Sequence, residues 1–208
     1  MRIAFLLFIF LSSGTVLAQK RVLKQWDATQ MESLSFQAQY ASSIKIITTN
    51  SNQLTVSAIM DGEYANALYA GMIQYKGDWT LVTSFESFGQ VPNDKLAAHK
   101  VKSLVLEIEL PRNKAIAILA SNASLYVQGT FKNVDAQLLN GNCTLQNFNG
   151  NAQLQILDGD TTVFALYGIA GKATSKNGTV TNWLPENGQY LISVMSNNGN
   201  IQLQNVPR

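Results

Sequence analysis

Alternation of apolar and polar positions predicts β-strands along most of the chain. Between residues 104 and 110 every even position is Leu or Ile, and two of the odd positions are Glu. The same period of two occurs at residues 36–40, 44–49 and 54–58. A period of two is typical of a strand that is buried on one face. The pattern therefore predicts an all-β protein, with the strand at 104–110 stopped by Pro111.

Beyond Pro111 the chain repeats itself. Turn-forming dipeptides recur at intervals of 18, 18, 19 and 21 residues, namely Asn122-Ala123, Asn140-Gly141, Asp158-Gly159, Asn177-Gly178 and Asn198-Gly199. A nearly fixed period of this length indicates a repeat array.

The residues around these turns keep the same register in each unit. Positions four before and three and five after the first turn residue are mostly apolar or small, whereas the position four after it is mostly polar. Leu125, Cys143 and Thr161, for example, occupy the third position after successive turns. This predicts that these three side chains lie one above another in the interior, with Thr144 on the outside.

Two architectures fit the repeat. In a β-solenoid each unit is one coil, and strands of successive coils pair in parallel about 4.7–4.9 Å apart. In an up-and-down meander each Asn-Gly is a tight hairpin turn between antiparallel strands. Recurring Asn favours the solenoid, because stacked Asn side chains form ladders. We expect a single-domain β-solenoid over residues 19–208, with coils of about 18–21 residues.

Residues 60–100 depart from the repeat and form an expected hairpin or loop insertion. Lys76-Gly77-Asp78 predicts a three-residue hairpin loop, and residues 85–96 are loop-like. Tyr and Trp are favoured interface anchors, so the segment is a candidate partner-binding site. The alternative is that its rings cap an open end of the repeat array. Six aromatic residues cluster at 60–89, namely Tyr64, Tyr69, Tyr75, Trp79, Phe85 and Phe88, of which Tyr75, Trp79, Phe85 and Phe88 are the binding candidates.

Composition excludes several classes of protein. The 208 residues include 46% hydrophobic and 13% charged residues, with a net charge of +2. This hydrophobic share is too high for a disordered chain, and the weak charge argues against nucleic acid binding. One Cys and one His allow no internal disulfide and no His-rich metal site. We expect no metal and no cofactor.

The first eighteen residues resemble an export signal. Arg2 precedes an apolar run at residues 3–11, and Val16-Leu17-Ala18 supplies small residues for cleavage. We expect a mature chain that begins at Gln19 and is periplasmic, displayed on the cell surface or extracellular. No second long apolar run follows, so no membrane span is expected after cleavage.

Catalytic residues are not evident, although some polysaccharide-cleaving enzymes are β-solenoids. Asp135, Asp158 and Asp160 are the best carboxylate candidates. Asp158 stands where Asn stands in other repeats, which indicates a turn role. His99 lies in a polar stretch, and Cys143 falls in an inward column as a small buried hydrophobe, with an intermolecular disulfide as the alternative. We therefore expect no enzyme activity.

The repeat rhythm resembles the bacterial putative adhesin family, a secreted β-solenoid domain of unknown function. The resemblance covers residues 34–58 and 100–206 and rests on the opening strands at 44–58 and the turn units at 121–129, 140–150, 158–168 and 177–182. Ala123 stands where Gly is usual.

The resemblance implies a non-enzymatic binding or adhesion module of the cell envelope, with a cell-surface protein or glycan as its partner. One alternative is a structural envelope protein without a discrete ligand site. A polysaccharide-active β-helix enzyme is a further, weaker alternative.

Overall fold

The fold consists of β-strands joined by turns. A computed structural model describes residues 20–61, 68–85 and 103–207, and no helix occurs among them. These residues form fifteen strands: β1 (Lys20–Asp27), β2 (Ser33–Ala38), β3 (Ala41–Thr49), β4 (Gln53–Asp61), β5 (Leu68–Tyr75), β6 (Asp78–Phe85), β7 (Ser103–Pro111), β8 (Ala115–Asn122), β9 (Ser124–Asn140), β10 (Cys143–Asp158), β11 (Thr161–Ala165), β12 (Ile169–Ser175), β13 (Val180–Asn182), β14 (Tyr190–Asn198) and β15 (Ile201–Asn205).

The all-β prediction is thereby confirmed. The predicted signal at residues 1–18, together with Tyr64, Phe88, His99 and residues 86–96 of the expected loop, lies outside the described residues. No helix long and apolar enough to span a membrane occurs in the described ranges.

The strands pair into one sheet that contains two rows. Row A has the order β1-β4-β7-β3-β9-β10-β11-β15-β13, and row B has the order β5-β6-β2-β8-β9-β10-β14-β12. The long strands β9 and β10 belong to both rows. Residues 124–128 of β9 pair with β3 in row A, and residues 133–140 pair with β8 in row B. Each repeat therefore contributes one strand segment to each row.

Glycines allow β9 and β10 to bend from one row into the other. Gly129 and Gly150 both have positive φ angles, of 115° and 139°. A Cβ at Gly150 would collide with the carbonyl oxygen of Phe131 in the neighbouring strand, so the bend requires glycine. The rings of Phe131 and Phe148 stack beside these bends with their centroids 5.8 Å apart. The two rings fill the corner where row A meets row B.

Successive repeats pair in parallel, as the solenoid interpretation required. Cys143 lies opposite Leu125 on one side and Thr161 on the other, so this predicted column is confirmed. β8 and β9 also pair in parallel, as do β9 and β10. A meander needs antiparallel pairs between consecutive strands, so the meander interpretation is wrong for these repeats.

The last two repeats do not stack in sequence order. β14 lies between β10 and β12, and β15 lies between β11 and β13. Thr161 therefore pairs with Ile201 rather than with Val180. The repeat of β12 and β13 is the more polar one, since Asn182 replaces the apolar residue in its column. Val180 remains 38% exposed at the end of row A, whereas Ile201 is fully enclosed.

The expected insertion at 60–100 partly continues the sheet. β5 and β6 form the predicted hairpin, but Tyr75 pairs directly with Asp78. The loop therefore has two residues, Lys76 and Gly77, rather than the predicted three, because Lys76 adopts a positive φ of 53°. β6 also pairs in parallel with β2, so the hairpin extends row B.

A single hydrophobic core lies between the two rows. Ile118, Ala136, Leu154 and Val194, which share the column four residues before each turn, are all buried in it. Cys143 is also buried, and burial raises the pKa of its thiol to about 12. The thiol thus stays protonated and enclosed, in agreement with its prediction as a small buried hydrophobe.

The turns carry the side-chain ladder that their repeated Asn residues indicated. Asn140 Nδ2 donates to Asn122 Oδ1 at 3.0 Å. Asn198 Nδ2 donates to Asp158 Oδ1 at 2.5 Å, and Asn177 Nδ2 donates to Asn198 Oδ1 at 2.7 Å. Asp158 therefore substitutes for Asn as an acceptor within the ladder.

A second ladder runs two residues further along each turn. The Asp160 amide donates to Asn142 Oδ1 at 3.0 Å, and the Asn200 amide donates to Asp160 Oδ1 at 2.7 Å. The Thr179 amide donates to Asn200 Oδ1 at 3.0 Å. Both ladders follow the observed stacking order, in which the fifth repeat separates the third from the fourth.

The alternation between interior and exterior predicts a sharp contrast between two neighbouring substitutions. Leu145 is fully buried in the core, whereas Thr144 points outward from row A. Leu145→Asp should lower the free energy of unfolding by several kcal/mol or abolish folding, because it buries an unpaired charge. Thr144→Asp should cost less than about 1 kcal/mol. Equal shifts in thermal unfolding would contradict the assignment of the two faces.

The turn ladder predicts a pH-dependent effect of Asn198→Asp. A carboxylate at 198 would face Asp158, and like charges raise the pKa values of both groups in the folded state. At neutral pH the variant should lose about 1–2 kcal/mol of stability, allowing for solvent screening.

The loss should disappear as the pH falls below about 4, the range in which unfolded Asp also becomes protonated. Denaturant titrations at several pH values would measure it. Asn197→Asp is the matched control, since the side chain of Asn197 takes no part in the ladder bonds described above. A loss at 198 that does not depend on pH would rule out charge repulsion as its cause.

Candidate functional site

The outer face of row B carries aligned side chains that do not enter the core. Gln37, Leu119, Gln137, Gln155 and Met195 are successive partners across β2, β8, β9, β10 and β14. Because paired strands lie about 4.8 Å apart, these residues form a line that crosses the strands at that spacing. Three of the five are glutamines, whose side chains end in an amide, and the other two are apolar.

A second line runs parallel to the first, two residues earlier in each strand. It consists of register partners in β6, β2, β8, β9, β10 and β14, which are Thr80, Ser35, Ala117, Asp135, Gln153 and Ser193. Small and hydroxyl side chains predominate in this line. Most side chains in this line are shorter than the neighbouring glutamines, so a groove forms on this face.

The main groove has a volume of about 530 Å³ and crosses β6, β2, β8 and β9. Ser35, Gln37, Asp135 and Gln137 line it, and Tyr40 lies at its rim. Tyr40 is partly exposed, so one face of its ring can meet a ligand. This groove therefore combines hydroxyl, amide and carboxylate groups with an aromatic ring.

A second groove of about 400 Å³ continues along the same face towards the turns. It shares Leu119 and Gln137 with the main groove, and it adds the exposed side chains of Leu139, Leu157 and Met195. The two grooves thus form one surface, which we call the row B face. Asp135 is the only charged residue among the described residues that line the two grooves.

The aromatic residues of the predicted partner-binding site do not share one environment: Tyr75 is exposed and Trp79 is buried in the core. Tyr75 is 68% exposed at the tip of the hairpin, and the Lys76 ammonium lies 5.4 Å from the centre of its ring. Trp79 is only 4% exposed and packs in the core, so it is not positioned to contact a partner. Phe85 ends β6 through its backbone pairing with Leu68, and Phe88 lies outside the described residues.

Among the candidate catalytic carboxylates, Asp135 lies far along the strand from Asp158, and Asp158 and Asp160 take part in turn hydrogen bonds. Asp158 and Asp160 accept hydrogen bonds in the two turn ladders. Asp135 pairs with Gln153, which lies five residues before Asp158 in β10, so about 16 Å of strand separates the two positions. Paired carboxylates that hydrolyse glycosidic bonds lie about 5–9.5 Å apart. Among the described residues, no three His, Cys, Asp or Glu side chains are grouped to hold a metal.

The row B face was not identified from the sequence, although a signal for it exists. Its residues occupy the columns one, three and five positions before each turn, such as Leu139, Gln137 and Asp135. The column three positions before each turn contains Leu119, Gln137, Gln155, Thr174 and Met195. Outward columns in a repeat normally hold solvated polar residues, so exposed Leu and Met in them are a signal of a binding face.

Comparisons with known proteins identify the fold. No protein-family model matches the chain, and no curated protein matches it in sequence. It is similar in structure to a putative cell adhesion protein from Clostridium sporogenes, with 15% identity and a TM-score of 0.65, over 91% of this chain and 100% of that chain. At this level of identity the likeness shows a shared fold.

A second solved structure, a putative adhesin from Bacteroides fragilis, aligns at 10% identity with a TM-score of 0.40. It covers 90% of this chain and 99% of that chain.

The different burial of the two hairpin aromatics predicts losses of stability of very different size. Trp79→Ala should lower the free energy of unfolding by about 3–5 kcal/mol, because a large buried ring is lost. Tyr75→Ala should cost less than about 1 kcal/mol, because its ring is largely solvated. Thermal unfolding of the two variants provides the measurement. Early melting of Tyr75→Ala would mean that its ring caps the end of the sheet.

Proposed function

We propose that this protein is an exported, non-enzymatic adhesion module of the bacterial cell envelope, built as a β-solenoid, and that its row B face binds a neutral glycan. The groove in that face is the observation that carries the proposal.

The solenoid assignment is supported by the repeats that follow residue 114. Each one places a segment in row B, passes through a turn, places a segment in row A, and pairs in parallel with its neighbours. The ladders at Asn140 and Asn198 connect equivalent turn positions between stacked units. Each such circuit is one coil of the proposed solenoid.

The location and the adhesive role are supported by two separate observations. Arg2, the apolar run after it and Ala18 have the order of an export signal. The fold is shared with a bacterial protein described as a putative cell adhesion protein. An exported chain of this fold, with separated carboxylates on its surface, fits binding better than hydrolysis.

The chemistry of the row B face favours a neutral glycan. Sugar hydroxyls donate and accept hydrogen bonds, and the amides of Gln37 and Gln137 can do both. The apolar faces of sugar rings can pack against Tyr40 and Leu119. Among the described residues, the lining contains no Lys or Arg, the residues that recognise phosphate, sulfate or carboxylate groups. Lines of side chains about 4.8 Å apart also suit a ligand with short repeating units.

A glycan array probed with the purified chain from residue 19 onward would test this function. We expect binding to uncharged oligosaccharides, with Gln137→Ala weakening it about threefold to tenfold through the loss of one or two neutral hydrogen bonds. Thr144→Ala is the control, because Thr144 is a comparable outward residue in row A. Normal thermal unfolding of both variants would exclude a folding defect.

Two results would contradict the proposal. Failure to bind any neutral glycan would favour the alternative of a structural envelope protein without a ligand site. Equal weakening by Gln137→Ala and Thr144→Ala would place the ligand elsewhere.

A further inference from the structure

Within the described residues, the two rows end in four strands that pair on one side only, and β1 and β5 lie close to each other at the same end. The four strands are β1 and β13 in row A, and β5 and β12 in row B. An edge strand presents backbone N–H and C=O groups that can pair with another extended chain. Proteins usually protect such edges with charge, with short strands or with a covering segment.

Three of the four edges show one of these protections. β1 contains four charged residues among its eight, and β13 is only three residues long. At β12 the Gly171 amide donates to the Pro185 carbonyl at 3.0 Å, and the Gly171 carbonyl accepts from Asn182 Nδ2 at 2.8 Å. The segment after β13 therefore covers part of that edge.

Strand β5 shows none of the three within the described residues. It is eight residues long, has no charged residue and no proline, and pairs only with β6 in this part of the chain. Its outward residues Tyr69, Ile73 and Tyr75 are 49%, 61% and 68% exposed. The Tyr69 ring lies over Gly71, so the apolar surface continues across the glycine. A long uncharged edge of this kind is suited to strand addition.

We propose that β5 is a self-association edge, at which β5 of a second copy of this chain pairs antiparallel and extends row B through both molecules. The backbone edge specifies an extended strand as its occupant. Self-pairing opposes no like charges at β5, whereas β1 contains three basic residues and one acidic residue, so self-pairing of β1 would bring net positive charge together. Cross-strand pairs of aromatic and β-branched side chains would further stabilise this pairing.

The geometry of this pairing has a consequence for the row B face. The two-fold axis of an antiparallel pair at a sheet edge can run perpendicular to the sheet, and it then keeps the outward faces of both copies on the same side. Both main grooves would therefore face one surface. Such a dimer would engage a surface with two sites at once. The self-association does not depend on what the groove binds.

Sedimentation equilibrium of the chain from residue 19 onward, over a range of concentrations, tests the proposal. We expect a monomer–dimer equilibrium, with Ile73→Lys weakening dimerisation about tenfold or more, equivalent to about 1.4 kcal/mol. Thr80→Lys is the matched control, because Thr80 is the register partner of Ile73, is exposed and lies one strand in from the edge. Both variants should keep the unfolding temperature of the parent.

Hydrogen exchange of residues 68–75 supplies a second measurement. The amides of this strand that point away from β6 should be protected at high concentration and should exchange faster on dilution, whereas those that face β6 stay protected in the monomer. A chain that stays monomeric, or a dimer weakened equally by both variants, would overturn the proposal. Protection of those outward amides in the monomer would also overturn it, since another part of the same chain would then occupy the edge. Dimers that dissociate only with Ile73→Lys would support it.

Discussion

The structure depends on parallel backbone pairing between repeats that are only about 4.8 Å apart. Every strand from β8 to β11 pairs in parallel with a strand on each side. The turns must keep the same spacing, so each turn must stack directly on the next. Amide side chains suit this arrangement, because Asn198 can donate to Asp158 and accept from Asn177 at the same time. The repetition of Asn therefore follows from the spacing of the strands.

The same constraint explains how much of the fold was predictable. Inward columns and turn positions are local patterns, so the burial of Leu125, Cys143 and Leu154 could be inferred without knowing any partner strand. The stacking order was not local. The sequence pattern of the fourth repeat would allow it to stack on the third repeat or on the fifth. The fifth repeat stacks on the third instead, because it buries more apolar surface there than the fourth repeat would. Asn182 in an otherwise apolar column was the relevant signal.

The candidate site was less predictable because it uses the positions that the repeat does not constrain. Outward residues such as Gln137 and Leu119 have no role in the core, and their meaning appears only when register brings them into one line. The aromatic excess at 60–89 indicated a special region, but it did not separate core from surface. Trp79 and Tyr75 lie four residues apart along the hairpin, and its two-residue turn gives their rings opposite environments.

The two edge strands of row B, β12 and β5, differ in how their unpaired backbone groups are covered. Displacement of the fourth repeat to the end leaves the segment after β13 beside β12, where Pro185 and Asn182 bond to Gly171. The more polar repeat thus forms a covered end. At the other end β5 is added by a hairpin whose inward residue Met72 packs against the core. A hairpin closes the core but creates a new edge, because its outer strand has one partner in the described part of the chain. Growth of the sheet can therefore continue at β5, and the lack of charge along that strand leaves no electrostatic barrier to it.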